Sequence, residues 1–145
     1  MTALLDVNVL IALFDETHVH HEVAHDWFAD HSPRGWATCA VTQNGFLRIM
    51  TDPRSAVLDD GATVFASLRT LCRSSDHTFW PETVSLLDES LFDTSVLVSA
   101  RQITDVYLLG LAVRMGGRLA TFDRTIPWRA VKPATAGSVA VLEPA

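Results

Sequence analysis

The order of apolar and polar segments predicts an α/β protein with three layers, in which helices flank a mainly parallel central sheet. Short apolar runs alternate with longer amphipathic stretches along the whole chain. Such alternation is typical of parallel strands joined by helical crossovers. No repeat, low-complexity segment or linker interrupts it, and 145 residues suit one domain spanning 1–145.

The first third of the chain predicts two strands and two helices. Residues 2–5 are a short buried strand that ends at Asp6. Residues 7–14 are apolar almost throughout, so periodicity does not separate strand from helix there, and we favour a helix that starts just after Asp6. Residues 18–31 place apolar side chains on one helical face. Residues 32–35, Ser-Pro-Arg-Gly, form a turn, and residues 36–39 are a second strand.

Two amphipathic helices and a brief strand are predicted next. The first helix covers 42–50 and ends at the Asp-Pro-Arg-Ser sequence of residues 52–55. The second covers 60–73, and the strand covers 78–80 before Pro81. The apolar residues expected in the core are Phe46, Leu47, Met50, Val64, Phe65, Leu68 and Leu71.

The last third contains the strongest helix. We expect short helical pieces across 83–100 and a largely buried helix over 104–115, ended by two glycines. A strand over 118–122 then stops at Asp123, and a final strand lies near 138–142.

Bulk properties restrict the function. A net charge of −6 argues against a protein that holds nucleic acid by broad electrostatics, although a bound divalent metal reverses the local sign of an acidic site. No apolar run approaches the length of a membrane span, and the first residues do not resemble a secretory signal peptide. We therefore expect a cytoplasmic protein with no membrane partner, whose Cys39 and Cys72 are reduced and largely buried.

Three acids occupy positions where the chain changes from one element to the next. Asp6 and Asp123 each follow a strand, and Asp105 opens a long apolar helix. Ligand sites in open α/β sheets form outside the carboxyl ends of the strands, so these carboxylates could converge on one cleft. An unpaired carboxylate beside apolar sequence is costly, and Mg²⁺ or Mn²⁺ would relieve that cost.

Phosphodiester hydrolysis is a reaction that suits such a cluster. One or two metal ions can activate water and stabilise the leaving oxygen, so no nucleophilic side chain is needed. Taken singly, each acid also has a structural explanation: Asp105 could cap its helix, and Asp6 and Asp123 could be turn residues. The three contexts together favour the functional interpretation.

Four strings carry a family resemblance. They are Leu4-Leu5-Asp6-Val7-Asn8-Val9-Leu10, Thr42-Gln43-Asn44-Gly45-Phe46-Leu47-Arg48, Thr104-Asp105-Val106-Tyr107-Leu108-Leu109 and Ala120-Thr121-Phe122-Asp123-Arg124. In this order they resemble the VapC toxins of bacterial VapBC toxin–antitoxin pairs, which are PIN-domain ribonucleases. The resemblance covers nearly the whole chain.

The resemblance implies a PIN-like fold and cleavage of structured RNA, such as tRNA or rRNA, with Mg²⁺ or Mn²⁺. It implies a homodimer and a VapB-type antitoxin whose C-terminal segment blocks the acidic cleft. By position, Asp6, Asp105 and Asp123 match the family's metal-binding acids, Asn8 matches a residue that supports the first acid by hydrogen bonding, and Thr104 adjoins the second.

One position departs from the family pattern. Gln43 stands where the common pattern has Glu, so three carboxylates instead of four would hold metal. We expect weaker metal binding, with a second ion most affected. This leaves an alternative function open, namely a catalytically weakened PIN domain that binds RNA or antitoxin without efficient turnover.

Other residues have a functional and a structural interpretation. His21 and His25 share a helix face and could bind zinc, but no complete ligand set is apparent, so solvated surface histidines are favoured; the wider cluster with His18 and His20 could also contact RNA or a dimer partner. Arg124 and Arg48 are candidates for RNA contact, whereas a solvated or paired surface role is favoured for Arg54 and Arg129. Trp80 and Trp128 could stack bases, but covering a core edge is favoured.

A third functional class is a phosphatase of the haloacid-dehalogenase type. Such enzymes have Asp-x-Asp after the first strand, whereas this chain has Asp6-Val7-Asn8. Its only lysine, Lys132, lies late in the chain, so no supporting lysine is evident. The second acid is therefore missing, and we rank this class below the nuclease and the binding module.

Overall fold

The computed structural model describes residues 1–55, 60–97 and 99–144. Within them, five strands form one sheet in the order β3-β2-β1-β4-β5, and every neighbouring pair is parallel. The strands are β1 (Ala3–Leu5), β2 (Trp36–Cys39), β3 (His77–Trp80), β4 (Arg118–Thr121) and β5 (Val139–Val141). The predicted parallel sheet is confirmed.

Helices cover both faces of this sheet, which confirms the three-layer architecture. They are α1 (Val7–Phe14), α2 (His21–His31), α3 (Ala40–Met50), α4 (Gly61–Cys72) and α5 (Gln102–Arg114). One apolar cluster joins α5 to one sheet face, with Leu4, Val106 and Leu119 buried in it. A second cluster joins α1, α3 and α4 to the other face, centred on Leu5, Trp36 and Phe46.

The carboxyl edge of the sheet is where strands β1 and β2 pass directly into helices. Asp6 alone separates β1 from α1, and β2 ends at Cys39, immediately before α3. Asp6 has extended backbone angles, and its side chain accepts a hydrogen bond from the Val7 amide, so it is the N-cap of α1. The helix preferred after Asp6 is therefore confirmed.

The prediction of helical pieces across 83–100 is wrong for most of the residues described there. Only Thr94–Val96 form a single 3₁₀ turn, and Val98 lies outside the described residues. Asp88 and Asp93 accept hydrogen bonds from the serines two positions ahead, which favours turns over helix. The backbone of Leu91 and Asp93 bonds to residues 130 and 132, so this segment pairs with a neighbouring chain section instead.

Two helix starts and one core assignment also differ. Helix α2 begins at His21 rather than at residue 18, because Asp15 and His18 side chains accept hydrogen bonds from backbone amides and build a turned loop. Helix α3 begins two residues earlier than predicted. Phe65 was expected in the core, but it is 43% exposed and lines a pocket between α3 and α4.

The cysteines and Trp80 lie much as predicted, whereas α5 begins at Gln102, two residues earlier than the predicted start of that helix. Both cysteines are free thiols; Cys39 is buried and Cys72 is half-buried. Trp80 is buried, as expected for a residue that covers the core. Among the residues described, every helix falls short of the length and apolar character needed to cross a membrane.

Candidate active site

Asp6 is a buried carboxylate held by two hydrogen bonds. Its Oδ1 accepts from the Val7 amide at 2.8 Å, and its Oδ2 accepts from the Thr121 hydroxyl at 2.8 Å. The side chain is only 8% exposed. Since β1 and β4 are adjacent parallel strands, their carboxyl ends place Thr121 beside Asp6. The sheet topology therefore fixes this carboxylate in one position.

Asp123 is tied to the same place through Thr121. The Asp123 amide donates to the Thr121 hydroxyl oxygen at 3.1 Å, so one hydroxyl contacts both residues. Asp123 Oδ1 accepts from the amide and the hydroxyl of Thr125, each at 2.7 Å. These bonds make Asp123 a turn residue, which was the non-functional alternative considered for it, and they also orient its carboxylate.

Asp105 lies in the first turn of α5 and is half-buried. It is not the helix cap, because α5 begins at Gln102. Among the described residues, no donor forms a hydrogen bond to its carboxylate, which distinguishes it from Asp6 and Asp123. Asp105 is therefore the least satisfied of the three acids.

The three carboxylates interact electrostatically. Burial, together with the smaller effects of the charges on Asp6 and Asp123, raises the pKa of Asp105 to about 6. Burial also raises the pKa of Asp6; the bonds from Thr121 and Val7 oppose this, and the charge of Asp123 adds to it. Charge interactions of this kind mean that the three carboxylates lie near one another.

A pocket of about 570 Å³ opens from Asp6 between the first turns of α1, α3 and α5. Asn8, Thr104 and Arg48, all singled out from the sequence, line it and are exposed. Gly45 also lines the pocket, and a Cβ there would lie 2.8 Å from Val7 Cγ2. The glycine thus allows α3 to approach α1 closely at the edge of the acidic site.

Gln43 lies on a different side of α3. Its Nε2 donates to the Thr38 hydroxyl at 3.0 Å, and its side chain lines a smaller pocket next to α4. Asn44 lines the pocket that contains Asp6. The structure therefore brings Asn44, and not Gln43, to the rim of the acidic site.

Two contributing residues were missed from the sequence, Thr121 and Asn44. Thr121 lies two positions before Asp123, so an alternating strand pattern would have placed both on one side of the chain. Asn44 lies four positions before Arg48, which puts the two on one helical face. Asn8 was expected to support Asp6, but in the described structure the hydrogen bonds to that carboxylate come from Val7 and Thr121.

The arginines differ in their surroundings. Arg48 lines the acidic pocket. Arg124 is exposed and forms an ion pair with Glu143 at 3.2 Å. Arg54 forms an ion pair with Asp52 at 2.8 Å on the surface, and a paired surface role is what the sequence favoured for it. Arg48 therefore lines the pocket that contains Asp6, whereas Arg124 adjoins Asp123 in the chain.

His21 and His25, considered above as a zinc pair, instead form hydrogen bonds to α1. His21 Nδ1 donates to the Ala12 carbonyl at 2.6 Å, and His25 Nε2 donates to the Leu13 carbonyl at 2.9 Å. The last carbonyls of a helix lack intrahelical partners, so these rings cap the C-terminal end of α1. His21 is half-buried and His25 is exposed, as expected of surface histidines, and their bonds also anchor α2 to α1.

The donor set of the acidic site suits a hard divalent cation. Carboxylate oxygens are the ligands that Mg²⁺ and Mn²⁺ prefer, and Asp105 has a charge that no described donor satisfies. As the side chains stand, no three His, Cys, Asp or Glu residues of the described ranges lie close enough to hold an ion. Metal binding would therefore need some adjustment of these carboxylates.

A larger cavity of about 680 Å³ lies elsewhere, between α1, α2 and α4. Its lining is mainly apolar, with Leu13, Phe14, Phe28 and Leu71 among the contributors, and no carboxylate lines it. It therefore lacks the chemistry of the acidic site despite its greater volume.

The chain resembles known proteins along nearly its whole length. The PIN domain family model matches residues 3–131. The chain is similar to Ribonuclease VapC44 of Mycobacterium tuberculosis (strain ATCC 25618 / H37Rv), with 47% identity over 142 residues that cover 98% of this chain and 100% of the relative.

Two further relatives come from the same organism. Ribonuclease VapC39 is 44% identical over 144 residues, which cover 98% of this chain and 100% of the relative. Ribonuclease VapC38 is 43% identical over 125 residues, which cover 83% of this chain and 84% of the relative. The matches to VapC44 and VapC39 thus run from end to end.

Proposed function

The chain belongs to the PIN-domain family and, within it, to the VapC ribonucleases, and from this premise we propose that it is a metal-dependent endoribonuclease. The observation that carries the proposal is the convergence of Asp6, Asp105 and Asp123 at the carboxyl edge of a parallel sheet. Their repulsion, with the pKa of Asp105 raised to about 6, is what a site built for a cation would have before the cation binds.

The cofactor we propose is Mg²⁺ or Mn²⁺, held by Asp6, Asp105 and Asp123. When bound, the ion would supply Lewis acidity for activating water and stabilising the leaving oxygen of a phosphodiester. Thr121 orients Asp6 by donating to its Oδ2, and this bond lowers the pKa of the carboxyl in opposition to the effect of burial. Thr125 orients Asp123 by donating to its Oδ1 from both its amide and its hydroxyl.

Residues around the pocket would position the RNA strand. Arg48 offers a planar fork of donors for phosphate oxygens at the rim of the site. Asn8, Asn44 and Thr104 can contact sugar or phosphate groups, as uncharged polar side chains often do in nucleic-acid complexes. Arg124 can exchange its exposed ion pair for a phosphate at low cost, because exposed pairs contribute little to stability.

The biological role we propose is the toxin of a type II toxin–antitoxin pair in the cytoplasm. The substrate would be a structured cellular RNA such as tRNA or rRNA. A VapB-type antitoxin would be the protein partner, and the active form would be a homodimer. The names of the relatives support an RNA substrate, and the net charge of −6 opposes indiscriminate binding to nucleic acid.

The experiment that tests the proposal is cleavage of total cellular RNA by the purified chain in Mn²⁺, in Mg²⁺ and in EDTA. We expect discrete fragments that require metal and that Asp105→Asn abolishes. Asp30→Asn is the matched control, since Asp30 is an exposed acid near the end of α2. Equal cleavage by the Asp105→Asn variant and the unaltered chain would refute the assignment of the site.

Gln43 provides the test of the weakened-enzyme alternative. Its side chain bonds to Thr38 and lines a pocket other than that of Asp6. We therefore expect Gln43→Glu to change the cleavage rate little. No cleavage by the folded chain with any metal, followed by strong cleavage by Gln43→Glu, would instead favour the binding module.

A further inference from the structure

Two imidazole rings lie against Phe122, directly beside the acidic site. The ring centroids of His20 and Phe122 are 4.6 Å apart with an interplanar angle of 25°. Those of His18 and Phe122 are 6.2 Å apart at 22°. All three side chains are half-buried, so part of each ring faces solvent. We call this group the His18–His20–Phe122 stack.

The chain itself places this stack next to the carboxylates. Phe122 lies between Thr121, which donates to Asp6, and Asp123, whose charge raises the pKa of Asp105. Consecutive Cα atoms are about 3.8 Å apart. The backbone of Phe122 is therefore about 3.8 Å from that of Asp123, so the stack adjoins the acidic site along the chain.

The loop that carries the histidines is held in shape by its own hydrogen bonds. Asp15 Oδ1 accepts from the amide and the hydroxyl of Thr17 at 2.9 and 2.6 Å, and the Asp15 carbonyl accepts from the His18 amide at 3.0 Å. The His20 amide donates to His18 Nδ1 at 3.0 Å. Because Nδ1 is an acceptor, a neutral His18 ring carries its hydrogen on Nε2, at the far side of the ring.

His20 differs from the histidines that anchor α2. His21 and His25 donate to carbonyls of α1, whereas the described structure gives the His20 ring no hydrogen bond, and its contacts are ring contacts. It precedes α2 without capping it through its side chain. Val19, between the two stacked rings, is 85% exposed. This loop therefore presents planar and apolar surface that the fold does not use.

We propose that the His18–His20–Phe122 stack binds an unpaired nucleobase of the RNA next to the cleaved phosphate. Bases of unpaired RNA stack on aromatic and histidine rings, and this attraction does not depend on net charge. An acidic protein gains most from such a contact, since broad electrostatic attraction is not available to it. The inference rests on the proposed ribonuclease function and adds to it a preference for unpaired nucleotides.

The test uses the purified full-length chain and two fluorescein-labelled single-stranded probes, oligoadenylate and oligouridylate. Binding is measured by anisotropy in Ca²⁺, and cleavage in Mn²⁺. We expect His20→Ala and His20→Leu to weaken oligoadenylate binding about tenfold, because Leu keeps apolar contact with Phe122 but has no planar ring. His20→Phe should restore binding, since a planar ring returns.

A matched control is His31→Ala. His31 also stacks on an aromatic ring, with its centroid 4.5 Å from that of Trp27 at 7°, but it lies at the far end of α2. We expect this variant to bind both probes as the unaltered chain does. A probe with 2-aminopurine in place of one adenine gives a direct reading: its fluorescence should be quenched by the unaltered chain and by His20→Phe, but not by His20→Leu.

The outcomes separate this inference from the function on which it rests. If cleavage requires metal but His20→Leu leaves probe binding, KM and quenching unchanged, the proposed role of the stack is wrong and the ribonuclease function stands. If probe binding depends on His20 but no metal supports cleavage, base binding by the stack is supported and the ribonuclease function is refuted. Failure of the unaltered chain to bind either probe overturns the stack outright.

Discussion

Replacing Asp105 with Asn should stabilise the metal-free protein at neutral pH. The pKa of Asp105 is raised from 3.8 to about 6, chiefly by burial. At about 1.4 kcal/mol for each tenfold change in proton affinity, the charged form costs about 3 kcal/mol. Asp105 is only half-buried, so solvent screening reduces this to about 1–2 kcal/mol. Asn keeps the shape of the side chain and removes the charge.

The sign of the pH dependence follows from the direction of the shift. A carboxyl whose pKa is higher in the folded than in the unfolded state destabilises the fold above the folded pKa. The penalty disappears as the pH falls from about 6 towards the unfolded value near 3.8. The advantage of the Asn variant should therefore be full above about pH 7 and absent near pH 4.

The assay is urea unfolding in EDTA, followed by tryptophan fluorescence at several pH values. Trp36 and Trp80 are buried, so unfolding will change their environment. Adding Mn²⁺ should stabilise the unaltered chain more than the Asp105→Asn variant, because a ligand stabilises only the state that binds it. An Asn variant whose advantage is the same near pH 4 and pH 8, or is shared by Asp30→Asn, would refute the electrostatic reasoning.

Three further perturbations follow from the structure. Thr121→Val removes the hydroxyl that donates to buried Asp6 and should cost about 1–3 kcal/mol in urea unfolding near pH 7; an unchanged midpoint would contradict it. Gly110→Ala places a Cβ 2.3 Å from the Phe92 ring and should lower stability by about 1–3 kcal/mol, whereas a gain from helix propensity would mean that the ring moves freely. His25→Ala removes a donor from a carbonyl near the end of α1 and should cost about 1 kcal/mol, and Zn²⁺ should not stabilise the unaltered chain in a thermal melt.

Local patterns in the sequence were sufficient for most of the secondary structure. The helix after Asp6, the strand over 36–39 and the helix before the two glycines at 116 and 117 all have signals within a few residues of themselves. The segment 83–100 failed because its conformation depends on partners about forty positions away. The backbone of Asp93 donates to the Ala130 carbonyl at 2.7 Å, and no local pattern contains that contact.

The sequence predicted the acids of the candidate site but not the residues that bond to them or line the pocket around them. Asp6, Asp105 and Asp123 stand at ends of elements, and the rule that parallel strands end at one edge brings such residues together. Gln43 and Asn44 are neighbours in sequence, yet only Asn44 lines the acidic pocket. Which of two adjacent residues meets the site depends on how α3 rotates against the sheet, and packing sets that rotation.

The sequence by itself determined a parallel α/β architecture and the residue types available for metal chemistry, because periodicity and strand-end acids are local properties. Only the tertiary structure decided that one Thr121 hydroxyl contacts both Asp6 and Asp123, that His21 and His25 serve α1, and that His20 lies against Phe122. These contacts join segments that are distant in the chain. Their geometry depends on the order of the strands and the packing of the helices, which a single sequence does not display.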